Sequence, residues 1–379
     1  MMIAIKKAAL FAPAALFLAA ALLAASCRIP EPEPNARVPY DPHLDGWRPA
    51  SWQPFDSADT ITGFAFGEVL VGGRSVNRYV AVSDTGRIGW SADGDRWFLA
   101  ASDSPPGGLR SVTFGDSAGV FVAVGDGGRF ARSLDGESWL VEAMQGFDGE
   151  GILGVGYGNG VFVAVGANAR ISVSLNGMDW AGGMVPAFFG AQLNDVAFCD
   201  LYGRFFVVGN GGNRGWSDDP ADPGEWVRLG PTPPIGAANI TRVAVGRLGN
   251  GDDGDTRIGI GLVAGGHVAV ASGAYSFAGF IPTIANFMFR GNSVNGLAWG
   301  GRYVVEEDGE SRFRGNFVSA GTSAMIGYWP GREPDRASER WWRALPLPEF
   351  MLWEITEVAA LNGRFFVGST HGGRIAHSR

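Results

Sequence analysis

Lysine is almost missing from this 379-residue chain, because Lys6 and Lys7 are the only two. The other 28 of the 30 basic residues are arginines, set against 38 acidic residues. Both lysines precede residue 27, so residues 27–379 carry a formal net charge of −10, two units below the −8 of the whole chain. A domain with this acidic balance is not expected to bind nucleic acid, which proteins bind through basic patches.

Cysteine and histidine are also scarce. The chain has two cysteines, Cys27 and Cys199, and its four histidines lack the spacing of a zinc site. No pairing of cysteine with histidine suggests a nucleophilic catalyst. Residues 251–256 are weakly similar to a calcium-binding loop but are not followed by a bidentate glutamate at the right distance. The sequence therefore predicts no metal site and no cofactor.

Long apolar runs and helical periodicity are confined to the first 26 residues. There, Lys6 and Lys7 precede an apolar stretch that ends in small residues directly before Cys27. This segment resembles a bacterial lipoprotein signal, which implies that Cys27 is acylated and becomes the new N-terminus; an ordinary secretory signal is the alternative. With Cys27 acylated, Cys199 alone remains and no intramolecular disulfide can form.

The organisation predicted from this signal has three parts. Residues 1–26 are a lipoprotein signal peptide, residues 27–46 are a lipidated cysteine with a Pro-rich tether, and residues 47–379 are the folded domain. The expected location is the periplasmic side of the envelope or the cell surface. Residue 28 is not aspartate, so the sorting rule of some Gram-negative lipoproteins, which this resemblance implies, favours the outer membrane.

A short pattern, apolar-x-x-apolar-small-apolar-x, occurs seven times in the folded domain. The copies begin at Ile61, Leu109, Ile152, Leu193, Ile240, Val294 and Ile355. A second apolar run follows in most copies, then a Gly-rich turn with an arginine that opens a third strand. Repeats of 40–50 residues made of short strands predict a β-propeller with one four-stranded blade per repeat. We therefore predict an all-β, seven-bladed propeller with antiparallel blades.

The last repeat stops at residue 379, after its third strand. The segment before the first repeat, Trp52–Phe55 with Trp47 nearby, is predicted to supply the missing outer strand. This arrangement would close the ring and remove two unpaired sheet edges.

Three third strands end in Ser-x-Asp/Asn-Gly-x-x-Trp. The shared residues are Ser91, Asp93, Trp97, Ser133, Asp135, Trp139, Ser174, Asn176 and Trp180. The turn resembles the Asp-box of sialidases and BNR-repeat propellers, and the whole repeat resembles the group that includes the photosystem II assembly and stability factor. Its polar side chains are expected to bond to the turn backbone while the tryptophan seals the sheet edge. These residues are accordingly predicted to be structural.

The resemblance to sialidases raises an enzymatic alternative. Sialidase catalysis requires an arginine triad, a tyrosine nucleophile with a glutamate and an aspartate acid/base. Here most arginines lie at equivalent turns of the repeat, so a non-catalytic scaffold for protein binding or assembly is predicted. The alternative is a sialidase-like glycoside hydrolase or a carbohydrate-binding propeller. The partner is expected to be an envelope protein, and the chain itself a monomer anchored to the membrane by lipid.

The face that carries the inter-blade loops is the predicted binding surface. These loops are apolar, and the arginines that open third strands should surround them. The candidate binding residues are Arg87, Arg129, Arg170, Arg214, Arg374, Phe188, Phe189, Phe287, Phe289, Phe350 and Trp353. The alternative is that the loops fold inward and that the arginines are solvated turn residues.

Overall fold

The strands described below lie in the second of two compact units, Pro42–Arg379. The computed structural model describes residues 47–231, 236–250, 256–272, 293–307, 310–329, 343–346, 354–370 and 372–378. Within these residues, no helix is long and apolar enough to cross a lipid bilayer. Cys27, Phe287, Phe289, Phe350 and Trp353 lie outside the described residues.

Every repeat begins with a strand whose first residue is the first apolar residue of the pattern. These first strands are Ile61–Val71, Leu109–Gly115, Ile152–Gly158, Leu193–Cys199, Ile240–Asn250, Val294–Glu307 and Ile355–Leu361. In all seven, the register against the second strand shifts between the first and third positions of the pattern. A β-bulge at this point explains why two residues separate the first two apolar positions.

Repeats 1 to 4 each form an antiparallel sheet with four strands in chain order. After the first strands, repeat 1 has Arg74–Ser83, Ile88–Ser91 and Phe98–Leu99, and repeat 2 has Val120–Gly125, Arg129–Ser133 and Ser138–Ala143. Repeat 3 continues with Val161–Gly166, Arg170–Ser174 and Ala181–Met184, and repeat 4 with Arg204–Gly209, Arg214–Ser217 and Val227–Leu229. Short 3-10 turns, such as Asp126–Gly128 and Ala167–Ala169, connect second to third strands in several repeats. Repeat 2 gains a fifth, parallel strand, Ala101–Ser102, from the preceding linker.

The sheet of repeat 7 contains Ile355–Leu361, Arg364–Ser369 and Ile375–His377, and its fourth strand comes from the other end of the chain. That strand is Arg48–Pro49, antiparallel to Ile375–His377, whereas the sequence placed it at Trp52–Phe55. Residue 52 instead forms a β-bridge with Arg96 of repeat 1. The N-terminal segment therefore contacts repeat 7 first and repeat 1 immediately afterwards.

Repeats 5 and 6 share one seven-stranded sheet. Its strands beyond the two first strands are Thr256–Ala264, His267–Ser272, Glu310–Gly321, Met325–Trp329 and Arg343–Pro346. The prediction of seven separate blades is corrected here, because five sheets stand alone as blades. The first strands of repeats 5 and 6 are longer than most of the others, and the overhang lets Gly249 pair with Arg314.

The hydrophobic core lies mainly between neighbouring blades. In four repeats the glycine that ends the pattern packs against an aromatic ring of the next repeat, and a Cβ atom there would lie 2.0–2.5 Å from that ring. The pairs are Gly67 with Phe114, Gly115 with Phe162, Gly158 with Phe198 and Gly246 with Trp299. Repeat 4 ends its pattern in Cys199, which is buried, and repeat 5 offers the smaller Val245 at the aromatic position. The thiol thus fills packing space between two blades.

Candidate functional site

In the Ser-x-Asp-Gly turns, the polar side chains form hydrogen bonds with the backbone of the same turn. In repeat 2, Asp135 Oδ1 accepts the backbone N–H groups of Glu137 and Ser138, both at 2.8 Å. Ser133 Oγ accepts the N–H of Gly136 at 2.8 Å, and Gly136 has a φ of 77°. Trp139 is buried and donates its indole N–H to the Gly136 carbonyl at 3.0 Å. One oxygen of the carboxylate is therefore engaged by the turn.

Repeats 1 and 3 repeat this geometry with Asp93 and Asn176 as the acceptors. Burial by itself would raise the pKa of Asp93, but N–H donors from Arg96 and Asp95 bring that pKa below its usual range. The pKa of Asp135 is lowered in the same way by Ser138 and Glu137 against the effect of burial. Both carboxylates are thus ionised at neutral pH.

The arginines that open third strands bind the loop that precedes their own blade. Arg87 pairs with Asp56 and, at 3.3 Å, with the fully buried Asp59. Arg129 donates a 3.4 Å hydrogen bond to Ser104, and Arg170 pairs with Asp148 at 2.8 Å. These contacts favour the interpretation that the arginines fasten loops to blades.

The two remaining arginines of the predicted ring differ from each other. Arg214 is buried, and burial lowers the pKa of its guanidinium, so it is not a surface contact residue. Arg374 is exposed beside the Gly372–Gly373 turn of repeat 7. The predicted ring of exposed arginines is therefore corrected at Arg214.

Phe188 and Phe189 are neighbours with opposite environments. Phe188 is fully buried, with its ring edge-on to Trp226 at 6.0 Å, because the 3-10 turn Pro186–Phe188 directs it into the core. Phe189 is 73% exposed on the same loop. The predicted exposure of Phe188 is corrected, and Phe189 remains as an exposed aromatic on the inter-blade face.

The second position of the pattern links one blade to the next. Thr62 donates to the Leu109 carbonyl at 2.9 Å, and Asn194 to the Ile240 carbonyl at 2.7 Å. Asn295 and Thr356 make the same bond to Ile355 and Ile61, at 2.8 and 2.7 Å. Short polar side chains at this bulge therefore donate hydrogen bonds to backbone carbonyls of the next repeat.

Residues at or near the third position of the pattern line a central cavity of about 260 Å³, to which all seven repeats contribute. Small residues occupy the third position in repeats 1, 2, 3 and 6, but repeats 4, 5 and 7 carry Asp195, Arg242 and Glu357. Arg242 donates from Nε and Nη2 to Oε2 of Glu357, at 3.0 and 2.8 Å. Sequence reasoning missed this cluster. The available signal was the presence of charged residues at one position of an otherwise apolar and small pattern.

Burial shifts the titration of the two carboxylates. It raises the pKa of Asp195 to about 6, an effect that Arg242 and the N–H of Val243 partly oppose. Burial likewise raises the pKa of Glu357 against the opposing charge of Arg242. The Glu357 charge in turn raises the pKa of Arg242. In the described part of the chain, including this cavity, no three His, Cys, Asp or Glu side chains are grouped to hold a metal ion.

The chain is similar in fold to solved propeller structures. YCF48 from Cyanidioschyzon merolae is 15% identical, with 88% of this chain and 98% of that chain covered and a TM-score of 0.59. Virginiamycin B lyase from Staphylococcus aureus is 9% identical, with 87% and 98% covered and a TM-score of 0.59. The WD40 propeller domain of Doa1 is 13% identical, with 85% and 95% covered and a TM-score of 0.52.

At these identities the likeness concerns the fold alone, and it shows an all-β propeller with antiparallel four-stranded blades. No family profile matches the chain, and no curated protein sequence matches it.

Proposed function

We propose that the chain is a cell-envelope lipoprotein whose propeller is a non-catalytic scaffold for binding or assembling another protein. The observation that carries the proposal is that Phe189 is exposed on a loop held in place by its buried neighbour. Its neighbour Phe188 is buried and fixes the loop, while Phe189 and Met184 remain 73% and 47% exposed. An aromatic side chain held in place before binding loses little conformational freedom when a partner covers it.

Charge complements this apolar pair. Met184 lies opposite Arg170 in the third and fourth strands of repeat 3, and the guanidinium of Arg170 is bound to Asp148. Aromatic residues, methionine and arginine are enriched in protein interfaces, and the combination suits a protein partner better than a small polar substrate.

We further propose that the repeats belong to the Asp-box group. All seven first strands share one β-bulge, and they contact one another in chain order, with the first strand of repeat 7 against that of repeat 1.

Replacement of the exposed pair tests the scaffold. The double variant Met184→Ser/Phe189→Ser should lose specific crosslinks to envelope proteins that the parent protein forms. Leu175→Ser is the matched control, because Leu175 is 75% exposed on a Ser-x-Asn-Gly turn at the opposite face. Equal crosslinking by parent and double variant would contradict the proposal, as would cleavage of sialosides that Arg170→Gln abolishes.

The lipid anchor is tested separately. Cys27→Ala should move the protein from the membrane fraction to the soluble fraction, because a single thioether-linked lipid group is expected to be the only attachment. The melting temperature should not change, since residues 27–46 are predicted to be a tether. Unchanged membrane partitioning would count against lipidation.

A further inference from the structure

The central cavity lies where the seven first strands begin, at the end of the ring that carries the inter-blade loops. Its lining includes the apolar residues Leu153, Leu297, Ala298 and Val358, although most of its accessible surface is polar. A volume of about 260 Å³ is below the usual range for drug-sized ligands and suits one long side chain or a molecule of that size.

Two carboxylates and one guanidinium occupy this cavity at equivalent positions of three repeats. Arg242 is already bound, through Nε and Nη2 to Glu357 and through Nη1 to the Thr241 carbonyl at 3.0 Å. Arg242 of repeat 5 reaches Glu357 of repeat 7 past repeat 6, where the equivalent residue, Gly296, has no side chain to separate the two. A Cβ atom at residue 296 would also lie 2.7 Å from the backbone nitrogen of Val358.

Asp195 carries the charge left over from this pairing. Its oxygens accept the backbone N–H groups of Val196 and Val243, both at 2.9 Å, and these neutral donors do not cancel its charge. The cavity's fourth charged residue, Arg110, is matched by Asp126, with Nε–Oδ1 and Nη2–Oδ2 distances of 3.0 and 3.1 Å. The cavity is therefore one positive charge short when Asp195 is ionised.

We propose that this cavity binds an organic cation, an ammonium or guanidinium group on a short aliphatic chain, with its charge against Asp195. The apolar residues of the lining can contact the aliphatic part, whereas a metal ion would need several more oxygen ligands or its water shell. This site does not depend on the scaffold function proposed above, because it could hold a free cation as well as the cationic side chain of a partner protein. The raised pKa of Asp195 is consistent with an uncompensated carboxylate.

Saturation-transfer NMR with purified protein tests the site directly. The probes are n-butylguanidinium and n-butylammonium, and n-butylurea is the neutral control of the same shape. We expect saturable binding of the cations, little binding of the urea, and a loss of roughly tenfold in affinity with Asp195→Asn. Asp116→Asn removes an exposed carboxylate from a turn of repeat 2 and should have no effect.

If Asp195→Asn does not fold, the pH dependence of cation binding by the wild-type protein provides a second test. The charged groups facing Asp195 are Arg242 and Glu357, with Arg110 also lining the cavity. Since a cation binds the ionised carboxylate, the wild-type affinity should fall by about tenfold between pH 7.5 and pH 5, through the pKa near 6. An affinity that does not change with pH would overturn the proposal.

A peptide arm distinguishes the source of the cation. Tighter binding of N-acetyl-Gly-Arg-Gly-amide than of n-butylguanidinium supports a partner side chain, and tighter or equal binding of the small cation supports a free molecule. The site is refuted if neither cation saturates, if n-butylurea binds as well as n-butylguanidinium, or if a folded Asp195→Asn variant binds like the wild type.

Discussion

The hydroxyl of Thr356 donates a 2.7 Å hydrogen bond to the carbonyl of Ile61, across 295 residues of chain. The bond joins the last repeat to the first and is equivalent to the bond from Thr62 to Leu109 within the ring. The N-terminal segment strengthens the same junction: Ala50 bonds to Ile375 at 2.9 Å, and Ser51 bonds to Asp95 at 3.0 Å. The two ends of the domain are thus fastened at one place.

Removal of this closure should destabilise the whole domain. Deletion of residues 47–55 takes the fourth strand from repeat 7 and uncovers buried side chains, including Ile375 and Phe366. We expect the melting temperature, measured by calorimetry, to fall by about 10 °C or more. Deletion of residues 30–41 is the control and should melt like the parent. A normal melting temperature for the first deletion would show that the closure contributes little.

The Arg242–Glu357 pair should couple repeats 5 and 7 energetically. Glu357 is 8% exposed, so Glu357→Gln takes the hydrogen-bonded carboxylate from a partly buried guanidinium and should cost about 3 kcal/mol in denaturant unfolding. The more exposed pair Arg132–Glu142, at 2.9 Å, is the comparison, and Glu142→Gln should cost below about 1 kcal/mol.

A double variant separates pairing from burial of charge. Arg242→Met with Glu357→Gln should recover much of the stability that Glu357→Gln loses, because the guanidinium that lost its hydrogen-bonded partner is removed as well. Equal losses in the single and the double variant would indicate that packing at residue 357, not the ion pair, determines the cost.

Asp195 should make the domain less stable at neutral pH than at mildly acidic pH. Its pKa is about 6 in the folded protein and 3.8 ordinarily, so the folded state binds the proton more tightly than the unfolded state. The resulting loss of stability therefore grows as the pH rises from about 4 and is complete above about 6. The unfolding free energy of Asp195→Asn, relative to that of the wild type, should rise by about 1 kcal/mol as the pH increases from 5 to 7.5. Parallel pH profiles of unfolding free energy for the two proteins would contradict this shift.

Asp135 should matter for stability and not for binding. Asp135→Ala removes the acceptor of two backbone N–H groups and should lower the unfolding free energy by about 1–2 kcal/mol. Asp116→Ala, in the exposed first turn of repeat 2, should change it far less. If Asp135→Ala abolishes partner crosslinking while it leaves stability unchanged, the turn is a binding site and its structural interpretation is wrong.

The local pattern of residues determined the elements of this fold. Spacing alone located the seven first strands, and their bulge follows from the two residues between Ile61 and Phe64 and their equivalents. The pattern also reflects packing, as in the glycine at residue 67 that meets the ring of Phe114. Such features depend on neighbouring strands, which the repeat brings together in the same way each time.

Tertiary structure alone decided the number of separate sheets and the character of the sites. Gly249 meets Arg314 because two strands extend beyond the usual length, which no pattern of apolar residues reveals. Phe188 and Phe189 are adjacent in sequence, yet the turn at Pro186 buries one and exposes the other. Arg242 and Glu357 are 115 residues apart and meet past repeat 6, because the packing of the first strands brings repeats 5 and 7 together inside the ring.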